Sequence, residues 1–142
     1  MRFRAWKYPV QVYPNSIPEM RTITESSEGI TVGAAVQLSH LQKYLKSQIL
    51  NLPSYKTQGF QAMVDNLKYF AGNQIRNVAA LGGNIVTASP ISDLNSVLLS
   101  LGGILKFASK RAGTRELPIS DFFLAYRKTA LLPGEVLVSV CK

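Results

Sequence analysis

Within the run VAALGGNIVTASPISDLNSV, residues 78–97, two adjacent glycines precede an asparagine, and a serine and an aspartate follow a few positions on. Residues of these types at this spacing suit the binding of a polar, anionic ligand. Glycine has no Cβ, so Gly82 and Gly83 let backbone amides come close to a ligand and permit positive φ. Successive N–H groups in a tight turn form a concavity for anionic oxygen, such as that of a phosphate. Asn84 adds a side-chain amide that donates or accepts. Ser92 or Asp93 can open a helix whose first N–H groups again point outward. A carboxylate such as that of Asp93 can accept hydrogen bonds from sugar hydroxyls.

A Gly-Gly pair alone is an ordinary turn signal, and neither the Lys-Ser/Thr phosphate loop nor the G-x-G-x-x-G spacing is present. Extent distinguishes this segment. Residues 70–95 follow no periodicity until the helix signal at Ser92, yet they carry few of the charges of a solvated loop. Long irregular segments inside compact domains are usually functional.

The elements that must position these residues are legible on both sides. Residues 29–36, GITVGAAV, read as a strand. Leu38, Leu41, Leu45 and Ile49 recur every three or four residues, which predicts a helix ending near Pro53. Phe60, Met63, Val64, Leu67 and Phe70 form a second helical stripe, closed by Gly72. Residues 72–91 read as an ordered loop with short extended pieces. Ser92 or Asp93 then caps a helix through Val97 and Leu101, which Gly102 and Gly103 end. Residues 104–108 read as a strand, SKRAGTR as a hairpin turn and RELPIS as the return strand. Asp121 opens a short turn or helix containing FFLAYRK, and residues 136–140 form a last strand. The order is α+β with a mostly antiparallel sheet and flanking helices.

With 142 residues, 46% hydrophobic, the chain has the composition of a globular domain. Its one cysteine, Cys141, excludes an internal disulfide and any cysteine-rich zinc or iron–sulfur site within the sequence. The one histidine, His40, lies in a helical stretch without converging ligands, so no metal site is expected. Net charge is +8, but the basic residues are scattered and read as solvated surface; neither nucleic acid nor membrane is an expected partner. The longest apolar stretch, residues 97–108, is broken by Gly102, Gly103 and Lys106. RFRAWKYPVQVY and GEVLVSVCK read as strands that continue past the two ends, so a fragment is expected.

Residues 70–97, FAGNQIRNVAALGGNIVTASPISDLNSV, resemble the FAD-binding domain signature of the molybdenum-containing hydroxylases. The SPISDLN stretch brings them closer to the xanthine dehydrogenase branch than to the aldehyde oxidase branch. GITVGAAVQLS (29–39), LPISDFF (117–123), YRKT (126–129) and GEVLVSV (134–140) extend the resemblance over nearly the whole chain. It implies a vanillyl-alcohol-oxidase/p-cresol-methylhydroxylase-type FAD fold. Residues 1–28 would be the end of its first subdomain with a connector, and residues 29–142 the second subdomain, truncated at its C-terminus. It further implies that Ala80, Leu81, Gly82, Gly83 and Asn84 line the cofactor, with backbone amides on its pyrophosphate. Phe70 would stand on the flavin side, Thr87 and Ser92 nearby, Asp93 on a polar part of the cofactor and Leu137 against it from the last strand. None of these transfers a proton or attacks as a nucleophile, so no catalytic residue is assigned: the chemistry belongs to the isoalloxazine.

In the family, electrons from a molybdenum–pterin centre pass through iron–sulfur clusters to FAD and then to NAD or oxygen. The resemblance implies that the molybdopterin and the clusters lie outside this chain, in the remaining domains of a complete enzyme that forms a homodimer in the cytoplasm, with the peroxisome as the alternative location. A Gly-Asn-Thr loop upstream and a cofactor-holding lysine downstream belong to the family pattern but not to this sequence, and Ser96 stands where the family commonly has proline. Two other readings compete. One is a truncated, non-enzymatic paralogue or fragment that does not hold FAD. The other is a basic nucleic-acid-binding module.

Overall fold

Leu38, Leu41 and Leu45 share one face of a helix, and all three are fully buried. That stripe is why residues 38–51 coil: α1 (Leu38–Asn51) ends where Pro53 removes the next donor. The computed structural model describes residues 9–27 and 29–142 of the chain. Pro53 then serves as the cap of α2 (Ser54–Tyr69), six residues before the expected start at Phe60. The periodic apolar stripe marks only the buried half of that helix; its first turn is held by Lys56 N–H on the Pro53 carbonyl.

The strands are β1 (Ile23–Ser26), β2 (Gly29–Gly33), β3 (Ile104–Ser109), β4 (Gly113–Pro118) and β7 (Glu135–Cys141). They form one antiparallel sheet in the order β1-β2-β7-β3-β4. β7 is its centre, and Leu137, Val138, Ser139 and Val140 are all buried. The expected division between residues 28 and 29 falls inside the β1–β2 hairpin, with Glu28 itself outside the described residues. Most of the strand expected near the N-terminus also lies outside them, and residues 9–13 form no strand.

β2 is shorter than the expected 29–36. Ala34 still donates its N–H to the Val138 carbonyl at 2.8 Å, but the Ala34 and Val36 carbonyls accept hydrogen bonds from another segment, described below. The expected loop at 72–91 is instead largely helical, as α3 (Asn73–Arg76) and α4 (Leu81–Thr87). Gly72 does not close α2; it caps α3, and Ala71 takes the left-handed turn at φ +44°. The expected cap and stop of α5 (Asp93–Ser100) are present: Ser92 Oγ accepts from Asn95 N–H, and Gly102 ends it at φ +68°. FFLAYRK is not a helix. After a 3-10 turn (Ile119–Asp121) it forms the small hairpin β5 (Phe123–Ala125) and β6 (Lys128–Thr129), turned by Arg127 at φ +51°.

Candidate functional site

α4 carries the glycines, and its local sequence is a poor helix former. Two adjacent glycines cost about 1 kcal/mol each relative to alanine in a helix interior. Packing overrides this: Leu81 and Ile85, four apart, are 1% and 0% exposed against the core. Backbone docking completes it. Leu81 N–H donates to the Val36 carbonyl at 3.0 Å and Gly82 N–H to the Ala34 carbonyl at 2.8 Å, so the start of α4 sits on the frayed end of β2. Of the backbone amides expected on a ligand, those of Leu81 and Gly82 are thus occupied by carbonyls at the end of β2 and that of Asn84 by the Ala80 carbonyl at 3.1 Å.

The two glycines are not equivalent. A Cβ on Gly82 would stand 2.7 Å from the Ala34 Cβ, so glycine there is a packing requirement. A Cβ on Gly83 would meet nothing within 4 Å among the described residues. Gly83 is exposed, its φ is not positive, and packing of the described residues does not ask for glycine.

Above Gly83 lies a cleft of about 320 Å³. Its lining includes Ala80, Gly82 and Gly83 from the start of α4, and Leu131, Glu135 and Leu137 from the other end of the chain. Four of the ten sequence-predicted residues thus converge on one cavity. The other six are distributed around it. Leu81 points its side chain into the core. Asn84 Oδ1 accepts from Ser92 Oγ at 3.1 Å, tying α4 to the cap of α5. Thr87 Oγ1 donates to the Gly83 carbonyl at 2.6 Å. Ser92 lines a second cleft of about 290 Å³ with Asn95, Phe123 and Tyr126. Asp93 is exposed on the first turn of α5. Phe70 caps α2, half-buried against the core, and its carbonyl and that of Ala71 both accept from Arg76 Nη1, at 2.6 and 2.7 Å.

Sequence reasoning missed Glu135 and Arg115. The carboxylate of Glu135 has a side-chain exposure of 4% and accepts from Arg115 Nε at 2.6 Å and Nη2 at 2.8 Å. Leu132 N–H adds a third bond at 2.8 Å. The Arg115 bonds first, and then the Leu132 amide, hold its carboxyl down to about 2. One signal was available: a lone acid opening an apolar strand in a chain of net charge +8. Asn95 was also missed. It is 7% exposed, and neither side-chain polar atom is hydrogen-bonded among the described residues. His40 is exposed on α1, and no group of metal ligands occurs among the described residues.

Residues 1–141 match the family described as FAD binding domain in molybdopterin dehydrogenase. The chain is 50% identical over 140 residues to a xanthine dehydrogenase/oxidase of Gallus gallus, covering 99% of this chain and 10% of that protein. It is 43% identical over 142 residues to the xanthine dehydrogenase/oxidase of Rattus norvegicus, again covering 99% and 10%. Among solved structures, quinoline 2-oxidoreductase from Pseudomonas putida 86 superposes with a TM-score of 0.73 at 26% identity, covering 87% of this chain and 40% of that one. A carbon monoxide dehydrogenase from Hydrogenophaga pseudoflava gives 0.72 at 25% identity, covering 88% and 40%. The chain spans about a tenth of the length of the curated relatives it matches.

Proposed function

The chain belongs to the FAD-binding domains of the molybdopterin dehydrogenases, and from that premise we propose that it holds FAD across the Gly83–Leu137 cleft as the flavin station of a xanthine dehydrogenase-like oxidoreductase. The observation that carries this reading is the open space over Gly83. A glycine whose Cβ would touch none of the described residues leaves room for another group, and a cofactor laid on the start of α4 is such a group.

The residues present fit that cofactor. Gly83 N–H and the turn of backbone around it would meet the pyrophosphate, with Ala80 beside it and Leu137 supplying an apolar contact opposite. The Ser92–Asn84 bond ties α4 to the start of α5, and Thr87 and Asp93 would meet the polar end of the ligand. Phe70, held by Arg76, would border the ring system. When bound, FAD supplies the electron-carrying chemistry; the protein binds it, orients it and limits water. In the proposed relay, electrons arrive from iron–sulfur clusters in other domains and leave to NAD or oxygen.

Gly83→Ala tests the reading in the intact protein. The methyl has room among the described residues and raises helix propensity by about 1 kcal/mol, so the cofactor-free protein should unfold at an equal or higher temperature. FAD retention should fall by about tenfold or more, a loss of about 1.4 kcal/mol. Undiminished flavin content per polypeptide would overturn the assignment.

A further inference from the structure

Part of the cleft lining comes from residues 130–134, which lie between β6 and β7 and are not held by regular structure. Between β6 and β7 the chain passes Pro133 and Gly134, both exposed, the latter at φ +81°. Yet Leu131 of this segment lines the cleft together with Glu135, Val136 and Leu137, which open β7. One guanidinium gathers this segment. Arg115, on β4, bonds both carboxylate oxygens of Glu135, and its Nη2 also donates to the Ala130 carbonyl at 2.8 Å. Glu135 in turn accepts from Leu132 N–H, and its own N–H donates to the Leu132 carbonyl at 3.1 Å.

The guanidinium is itself fixed. In the sheet Phe107 of β3 is the register partner of Arg115 on one side and of Leu137 on the other. Arg115 reaches over the Phe107 ring, 5.0 Å from its centroid, and Phe107 stacks on Phe122 at 5.5 Å. The side chain therefore crosses a whole strand on an aromatic support to reach Glu135.

We propose that the Arg115–Glu135 fork is the positioning clamp of the cofactor cleft, holding the 130–134 segment, with Leu131, against the start of β7 in the geometry that receives FAD; this rests on the reading that the cleft holds FAD. A carboxylate facing an anionic cofactor would be repulsive if unpaired, and Arg115 cancels it. An apolar pair of similar volume could support the fold equally well. What the fork adds is geometry, because two parallel bonds between planar groups fix orientation as a point charge does not. Neither residue touches the reacting atoms; both act through the segment they hold.

The test uses Arg115→Lys, which keeps the charge but loses the fork and the Ala130 bond, and Glu135→Gln, which keeps the shape but loses the charge. FAD titration of the cofactor-free intact protein should show affinity reduced about tenfold or more in each folded variant. The visible circular dichroism of bound flavin should change as well, which a residue with only a remote structural role would not alter. Should Arg115→Lys fail to fold, Glu135→Gln decides alone. Wild-type affinity with a wild-type flavin spectrum in either folded variant overturns the clamp while leaving the cofactor reading intact. Wild-type protein that takes up no FAD overturns both.

Discussion

The amide of Gly82 donates to the carbonyl of Ala34 at 2.8 Å, and a methyl placed on Gly82 would stand 2.7 Å from the Ala34 methyl. This contact docks α4 on the end of β2 and holds Gly83 at the edge of the cleft. Gly82→Ala must push α4 away from β2, and overpacking of this kind costs about 1–3 kcal/mol, more than the roughly 1 kcal/mol that alanine returns in helix propensity. The variant should unfold at lower temperature than wild type with or without FAD. An unchanged melting temperature would show that α4 can move freely and that its placement is not set by this contact.

Ser92 joins two helices. Its Oγ accepts from Asn95 N–H at 3.4 Å to cap α5 and donates to Asn84 Oδ1 at 3.1 Å. Ser92→Ala should lose about 1–2 kcal/mol in chemical denaturation, the usual range for a lost cap with a second bond attached. A loss below a few tenths would mean that the cap is replaced by water.

Glu135 predicts an acid dependence. Its carboxyl titrates near 2 in the fold against an ordinary value of 4.5, because Arg115 and the Leu132 amide favour the charged form. A depressed folded value means that its contribution is present above about 4.5 and is lost as pH falls from there toward 2. Melting temperatures of wild type and Glu135→Gln should therefore differ most near neutrality and converge as pH falls toward 2. A gap that stays constant down to that pH would show that the bonds do not depend on the charge.

Much of the frame was legible locally. The stripe Leu38, Leu41, Leu45 predicts α1, and Ser92 with Gly102 brackets α5, because caps and periodicity act between residues a few positions apart. The small hairpin at 123–129 was not legible: Phe122 and Phe123 pack against each other at 5.2 Å and anchor the turn by burial rather than by any turn signal. The cleft was half legible. Gly82 and Gly83 stood out by residue type, and Ala80 and Leu137 only through the family resemblance, whereas Glu135 read only as the start of a strand.

What the amino-acid sequence determined by itself was the α+β order and, through residues 70–97, the family. Tertiary structure alone decided that 81–87 is a helix, because its glycines oppose that locally and only Leu81, Ile85 and the β2 carbonyls compensate. It also decided which glycine is structural and which is open, since Gly82 and Gly83 differ only in what stands opposite them. The Arg115–Glu135 link joins residues twenty positions apart across an intervening strand. No local rule encodes such a pair, because its geometry exists only once the sheet has brought β4, β3 and β7 together.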